Sequence, residues 1–341
     1  MKKNVFLILF LLHTIFSFSQ EEESDTSKTL EEVTIRSFEQ NRKLSSTITS
    51  VRIIEFNNGD RYNKTSLVNG FNTIAGVRME ERSPGSYRIN IRGSSLRSPF
   101  GVRNVKVYWN EIPITDPGGN TYFNQFAYNN FYYIEIFKGP AGSMYGAGTG
   151  GLILLNNLDR WQPGASLEYV TGSYGLQNIF TSARFGKTEN KNQFTYAHNE
   201  TDGYRVQTKM RRDNFSWISQ IKLSDRQELK ASVLFTDMYY QTPGALTLAE
   251  FIANPKQARP AAGGFPSAVN AHAAIFQKNI TAGFSNIYQL SSLIKNSTTL
   301  YGAFSQIKNP AIRNYERRTE PHFGGRTHFS FLKKKDNKEI K

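Results

Sequence analysis

The sequence contains no cysteine among its 341 residues. This absence excludes a disulfide framework, a thiolate zinc site and a lipid-modified N-terminal cysteine. After Phe16, no stretch approaches the roughly 18 consecutive apolar residues that indicate a transmembrane helix. Acidic residues are also few, 28 against 42 basic ones, so the formal net charge is +14.

The basic excess, together with 13% aromatic residues, is a composition that nucleic-acid-binding proteins share. Here the basic residues are scattered without a nucleic-acid-binding motif, and the N-terminus carries an export signal. The sequence also has no His-Glu-x-x-His and no Gly-x-Ser-x-Gly elbow. We therefore expect no nucleic-acid partner, no enzymatic activity, no metal site and no cofactor.

The N-terminus has the three parts of a secretory signal. Lys2 and Lys3 precede an apolar core at residues 5–16, and a small-x-small pattern follows at residues 17–20. The core is too short to span a bilayer permanently. The sequence predicts a signal peptide over residues 1–19 and an exported protein.

Residues 20–44 are predicted to be a flexible segment, because they begin with an acidic, polar run without apolar periodicity. Within them, residues 30–36 form a short island of strand-prone side chains. It is either the first strand of the next domain or a docking strand that pairs with the edge of a partner sheet.

Residues 45–158 have the pattern of a compact α/β domain. Thr65 is placed to cap a helix that ends at Gly76, and four apolar residues of this helix share one face: Leu67, Val68, Phe71 and Ile74. Strict alternation over residues 87–92 and again over residues 105–109 predicts two strands.

From residue 159 onward, apolar and polar residues alternate in seven or eight segments, which predicts antiparallel strands. The expected connections alternate in length. Those at 187–192, 224–228 and 290–295 are short, and those at 200–213, 241–277 and 308–326 are longer; an eighth strand is expected at residues 327–332. Outer-membrane barrels alternate short periplasmic turns with long extracellular loops in this way. The longer segments 200–213 and 308–326 are basic, which would attract either anionic cargo or outer-membrane lipid phosphates.

A glycine-rich stretch separates the two regions. Residues 134–153 read IEIFKGPAGSMYGAGTGGLI, and such a density of glycine indicates close approach of backbone to backbone. A nucleotide-binding loop would need a helix opening at the glycines and an acidic residue about 20 positions later. Asp159 comes too early for that role.

This stretch resembles the end of the plug domain of TonB-dependent outer-membrane receptors, whose plugs finish on a pattern similar to I-E-x-x-x-G-P-x-x-x-x-Y-G-x-x-x-x-G-G-x-I. The order of the preceding elements resembles the family plug as well. Where plugs usually carry Asp-Gly in one turn, this chain has Asn110-Glu111. The resemblance implies an α+β plug domain at 45–158, followed at 159–341 by antiparallel transmembrane strands of a large outer-membrane β-barrel. We expect that barrel to be incomplete in this chain, because eight strands enclose too little space for a plug.

The resemblance also implies partners and a site. A ligand, by family a ferric siderophore or ferric citrate complex, would contact the plug apex, for which we predict Arg97, Arg103, Asn120, Tyr122 and Gln125. The periplasmic energy transducer TonB would pair with a TonB-box-like strand made of Glu32, Val33, Thr34 and Ile35. Two alternatives remain open: a truncated plug-plus-sheet fragment that binds TonB or a partner without transport, and a secreted soluble β-protein.

Overall fold

A computed structural model of the protein describes residues 34–35, 42–43, 49–55, 64–83, 85–94, 102–146, 148–157, 161–331, 333–335 and 338–340. The chain divides into two compact units, Met1–Thr34 and Ile35–Lys341, and the fold described below belongs to the second. The predicted signal peptide lies outside the described residues.

The first part of the second unit is an α/β domain built on a five-stranded sheet. Its elements are β1 (Thr34–Ile35), β2 (Arg42–Lys43), β3 (Val51–Glu55), α1 (Val68–Asn72), β4 (Val77–Glu81), β5 (Tyr87–Ile91), β6 (Val105–Trp109), β7 (Ile112–Pro113), two 3-10 helices (Phe123–Gln125 and Tyr128–Asn130), β8 (Tyr133–Lys138), α2 (Gly142–Tyr145) and β9 (Gly151–Asn156). The sheet has the order β3-β8-β9-β6-β7, with β9 parallel to β6. Strands β4 and β5 form a separate hairpin.

Helix α1 confirms the predicted amphipathic segment. Leu67, Phe71 and Ile74 are buried in the domain core. The helix ends at Asn72 with Thr73 as its C-cap, so the predicted end at Gly76 comes too late; Gly76 lies in the following turn with a φ of +79°. The predicted cap is wrong, because the N-cap position is Leu67 and not Thr65, and no side chain caps it.

The turn between β6 and β7 places two residues other than glycine in the left-handed region. The φ angles of Asn110 and Glu111 are 47° and 75°. A two-residue hairpin of this kind favours Asn-Gly or Asp-Gly, because both positions need positive φ. Glu111 therefore holds a strained conformation at this turn.

The glycine-rich stretch forms the return from β8 to β9. Strand β9 runs between β8 and β6 and is buried along its whole length. A Cβ atom on Gly151 would lie 2.4 Å from the Phe137 carbonyl oxygen. The predicted close approach of backbone to backbone is therefore confirmed at this glycine.

The second part is a sheet of eight antiparallel strands, called the wall sheet below. Its strands are β10 (Gly164–Gly172), β11 (Leu176–Lys187), β12 (Asn190–Thr201), β13 (Met210–Ser224), β14 (Gln227–Gln241), β15 (Ala274–Gln289), β16 (Ile294–Pro310) and β17 (Tyr315–Phe331), hydrogen-bonded in sequence order. Helix α3 (Leu248–Ala253) lies in the connection between β14 and β15. A short hairpin, β18 (Lys333–Lys335) and β19 (Lys338–Ile340), follows.

The two faces of the wall sheet have opposite chemistry. The face toward the plug is largely polar and buried, and includes Asn199, Ser216, Thr236 and Gln277. The outward face carries exposed apolar side chains: Tyr196, Phe215, Phe235, Phe276, Ile280 and Phe304. A soluble protein buries such side chains, whereas a barrel wall in lipid presents them outward. This inversion argues against the secreted soluble alternative.

The connections follow the predicted alternation with one exception. At one end of the sheet lie 173–175, 202–209, 242–273 and 311–314, and at the other lie 188–189, 225–226 and 290–293. The prediction of a long connection at 308–326 and of a strand confined to 327–332 is wrong, because β17 begins at Tyr315. Pro321 lies within β17, which is an edge strand, where a missing backbone N–H is tolerated.

The plug packs directly on the wall sheet. The main apolar core of the plug continues into Phe180, Ala197, Ile218 and Leu234 of four wall strands. Gly283 of β15 allows equally close contact, since a Cβ there would lie 2.4 Å from the Ile112 Cδ1 atom of the plug. In the part of the chain that the structure describes, no helix is long and apolar enough to cross a membrane.

Candidate functional site at the plug apex

Two plug segments that are distant in sequence meet at the apex. Val102 and Thr121 form an isolated antiparallel bridge, with backbone hydrogen bonds of 2.7 and 2.9 Å. The Thr121 hydroxyl lies 2.7 Å from that of Thr115, which accepts a hydrogen bond from the Val107 N–H. The bridge brings the predicted residues Arg103 and Asn120 into contact.

Arg103 and Asn120 belong to one polar cluster that also includes Asp116. The Arg103 Nε donates to the Asn120 Oδ1 at 2.8 Å. The Asn120 backbone N–H donates to the Asp116 Oδ1 at 2.8 Å, so the carboxylate closes the loop over residues 116–120. Arg103 is exposed, and Asn120 and Asp116 are half-buried. The cluster therefore offers a guanidinium that is oriented by its neighbours but open to solvent.

Tyr122 lies beside this cluster and contacts the wall sheet. Its hydroxyl accepts a hydrogen bond of 3.4 Å from the Arg318 Nη2 of β17. Arg318 in turn forms ion pairs with Glu316 at 2.8 Å and Glu320 at 2.9 Å. Burial raises the pKa of the Tyr122 hydroxyl, and the Arg318 guanidinium opposes that shift. Tyr122 is thus a neutral hydrogen-bonding group in an arginine–carboxylate network.

Tyr122 lies at the end of the wall sheet that bears the longest connection, as the residues around its clefts show. Tyr240 and Ile275, which flank residues 242–273, line one cleft with Tyr122. The two clefts that it lines hold about 20 and 30 Å³, room for a water molecule each. A larger ligand would have to lie above the plug.

Gln125 is buried, and its backbone seats the plug on the wall. Its carbonyl oxygen accepts two hydrogen bonds of 2.7 Å, from the Asn214 Nδ2 and the Thr236 Oγ1. Its side chain lines the cleft that Asp116 and Tyr122 also line. Within the predicted set, Gln125 therefore lies below the exposed apex.

A buried arginine, Arg212 of β13, holds the same plug segment from the wall. Its Nη1 donates to the Asn124 carbonyl at 3.2 Å, and its Nε and Nη2 donate to the Asn199 Oδ1 at 3.1 and 2.7 Å. Arg212 is only 4% exposed. The sequence interpretation placed it in a basic loop, whereas it points inward from a strand.

Two plug side chains share the environment of Arg212. Burial raises the pKa of the Glu81 carboxyl, while a hydrogen bond from the Gly85 N–H and the charge of Arg212 oppose the shift. Burial, followed by the charge of Glu81, raises the pKa of the Tyr87 hydroxyl to about 12. Arg212 is thus a buried cation at the contact between plug and wall, and its charge acts on Glu81 and Tyr87 of the plug.

Several predicted residues lie outside the part of the chain that the structure describes: Arg97, Glu32 and Val33. Thr34 and Ile35 form the short strand β1. Among the described residues, no group of three or more His, Asp or Glu side chains could hold a metal ion. Sequence reasoning missed Asp116 and Arg318 as apex residues. Asp116 lies close in sequence to the predicted contact Asn120, whereas Arg318 was placed in the predicted connection at 308–326.

The architecture is an α/β domain packed against a sheet of antiparallel strands with an apolar outward face. Residues 43–152 match the family model of the TonB-dependent Receptor Plug Domain. Three solved structures share the fold. The ferric citrate transporter FecA in its unliganded form matches with a TM-score of 0.68 and 15% identity, over 84% of this chain and 45% of that one. The ferric-catecholate import receptor Fiu of E. coli K12 in its open form matches with a TM-score of 0.62 and 15% identity, over 86% of this chain and 48% of that one. The alcaligin outer-membrane receptor FauA of Bordetella pertussis matches with a TM-score of 0.64 and 12% identity, over 93% of this chain and 50% of that one.

The chain therefore carries the plug domain of TonB-dependent receptors, followed by wall strands of the fold that these receptors share. It spans about half the length of the solved structures that it matches. The three solved structures are named as a transporter, an import receptor and a receptor.

Proposed function

We propose that this chain serves TonB-dependent uptake across the outer membrane, and that its plug apex recognises an iron chelate such as ferric citrate or a ferric siderophore. The observation that carries the proposal is the polar cluster of Arg103, Asp116 and Asn120 beside Tyr122. It lies at the end of the wall that bears the longest connection, which is extracellular in barrels of this class. FecA and FauA, which have the same fold, are named for ferric citrate and alcaligin.

The chemistry of the cluster suits an anionic chelate. A guanidinium binds carboxylate oxygens through two parallel hydrogen bonds, and Arg103 already has its Nε fixed by Asn120. The Tyr122 hydroxyl and the Asn120 amide add neutral hydrogen-bonding groups. Arg97 and Gln125 complete the predicted contact set, in which Gln125 acts from below through its cleft.

Replacement of Arg103 by glutamine is expected to weaken ferric citrate binding about tenfold, the equivalent of about 1.4 kcal/mol. The loss reflects the missing charge-assisted hydrogen bonds. Binding would be measured by isothermal titration of the detergent-solubilised chain with ferric citrate and, in parallel, with a ferric catecholate. Lys187→Gln, which removes an exposed cation at the opposite end of the wall, is the matched control. Equal affinity of Arg103→Gln and wild type for both chelates would refute the apex assignment.

The energy source in this proposal is TonB, which would add a strand to the segment Glu32–Ile35. Backbone hydrogen bonds at a sheet edge give such a contact its affinity. Force from TonB would then act on a plug that is joined to the wall by hydrogen bonds such as those of the Asn124 and Gln125 carbonyls. Outer-membrane location and export by residues 1–19 belong to the same proposal.

Deletion of residues 30–36 is expected to abolish binding of the purified periplasmic domain of TonB and to leave ferric citrate affinity unchanged. The deleted residues supply the docking strand, whereas the apex cluster lies in the separate plug domain. Pull-down and titration of the same preparation measure both. Deletion of residues 21–27 is a control of equal length in the same segment. Retained TonB binding after deletion of 30–36 would remove the docking assignment.

A further inference from the structure

A second cavity lies between plug and wall at the end of the sheet with the short connections. It has a volume of about 380 Å³, within the usual range for small-molecule sites. Three of its lining residues are the second residue of a strand that follows a short turn. They are Lys191, Glu228 and Lys295. It shares no lining residue with the clefts beside Tyr122. The cavity is therefore a separate feature from the apex.

The charged lining of this cavity has an excess of cations: Lys191, Lys230, Lys295 and Arg326 stand against Glu111 and Glu228. Lys230 lies between the two carboxylates, 3.6 Å from the Glu111 Oε1 and 3.3 Å from the Glu228 Oε1. With that lysine occupied by carboxylates, the lining keeps two net positive charges. A cavity with low-dielectric walls and one sign of charge concentrates ions of the opposite sign.

Arg326 is held in the cavity wall by aromatic rings of the plug. Its Cζ atom lies 5.6 Å from the ring centroid of Tyr108 and 5.0 Å from that of Tyr145, within cation–π range. The rings contact each other edge to face at 5.2 Å, and the Tyr108 hydroxyl donates to the Tyr145 carbonyl at 3.1 Å. A planar guanidinium stacked in this way is preorganised for oxyanion recognition.

Glu111 sets a limit on the positive charge of the same cavity. The turn holds it at a φ of 75°, where glycine would be unstrained, and its carboxylate meets Lys230 and the Ser297 hydroxyl, the latter at 3.3 Å. Strained residues at a polar cavity often have a functional reason. Here the strained residue places a carboxylate beside the cations, which weakens anion binding without reversing the sign of the cavity.

We propose that this cavity is a second binding site, for a small multivalent oxyanion with carboxylate or phosphate groups. Lys191, Lys295 and Arg326 supply the charge, and the amides of Asn110, Asn156 and Gln220 supply neutral hydrogen-bonding groups. Glu111 keeps the affinity moderate, so that an occupant can leave. The site does not depend on the apex cluster and would exist whether or not the chain transports an iron chelate.

The test is isothermal titration of the detergent-solubilised full chain, carrying Arg103→Gln to remove the apex contribution, with metal-free citrate and separately with inorganic phosphate. Lys295→Gln is expected to weaken binding about tenfold, and Glu111→Gln to strengthen it several-fold because it removes a repelling carboxylate. Lys222→Gln, an exposed cation paired with Asp225 outside the cavity, should change nothing.

The two probes distinguish the ligand chemistries. Changes confined to citrate assign the site to polycarboxylates, and changes confined to phosphate assign it to phosphate groups. If neither anion binds, or if Glu111→Gln and Lys295→Gln leave both affinities unchanged, the proposal is wrong. Because the wild-type apex is tested separately with ferric citrate, failure of the cavity does not count against the proposed uptake function.

Discussion

Replacement of Arg212 by alanine is expected to destabilise plug docking by about 1–3 kcal/mol for each buried acceptor that loses its donor. The substitution leaves the Asn124 carbonyl and the Asn199 Oδ1 without their donor from Arg212, and it removes the cation whose charge acts on Glu81. Few other single substitutions in the plug–wall contact should cost as much.

The measurement is hydrogen exchange of the plug segment around residues 122–131, combined with thermal unfolding of the solubilised chain. Arg211→Ala is the matched control, because Arg211 is the next residue, faces outward and pairs with Asp213 and Asp237 on the half-exposed surface. Exposed pairs contribute about 0–1 kcal/mol. Equal losses in the two variants would show that Arg212 has no special role in docking.

The cost of Arg212→Ala should also depend on pH. Burial raises the pKa of Glu81 above its reference value of 4.5, so its contribution to stability is fully present below that value and is lost as pH rises through the folded-state pKa. Without Arg212, the carboxylate loses the cation that opposes the rise in its pKa. The destabilisation should therefore be smaller at about pH 4, where Glu81 is protonated, than at neutral pH. A double variant with Glu81→Gln should recover part of the loss.

The sequence predicts the element types better than it predicts their partners. Period-two alternation located the wall strands and the two plug strands, because each face of such a strand has one environment. It could not show that Arg212 faces the plug, since a basic residue at a strand end also fits a solvated loop. The alternation did not reveal the first part of β17, which has charged residues and Pro321. An edge strand tolerates both.

The candidate site shows the same limit. The family resemblance placed Arg103 and Asn120 in the predicted contact set, and the structure joins the two residues through the Val102–Thr121 bridge. Nothing in the spacing of the two residues predicts this pairing. The sequence also could not predict the contact of Gln125 with the wall, because its carbonyl accepts hydrogen bonds from residues that lie far along the chain.

Replacement of Gly151 by alanine is expected to destabilise the plug by about 1–3 kcal/mol, the range for overpacking in a closely packed core. The added Cβ would lie 2.4 Å from the Phe137 carbonyl oxygen and 2.8 Å from the Ile91 Cδ1. The first contact is with backbone, which cannot rotate away as a side chain can. Relief therefore requires a shift between β8 and β9, whose pairing joins Lys138 to Gly151. Hydrogen exchange at the amides of β8 and β9 and the unfolding midpoint would measure the loss.

Gly302→Ala is the matched control for this prediction. Neither glycine has a positive φ, so the two substitutions have similar effects on the unfolded chain and differ in the space available. At Gly302 the nearest atom to a new Cβ is the His322 carbonyl oxygen at 3.9 Å, an ordinary contact. Its replacement should change stability by less than about 0.5 kcal/mol. If Gly151→Ala were equally harmless, the glycines of the plug terminus would be needed for something other than the close approach of β9 to β8.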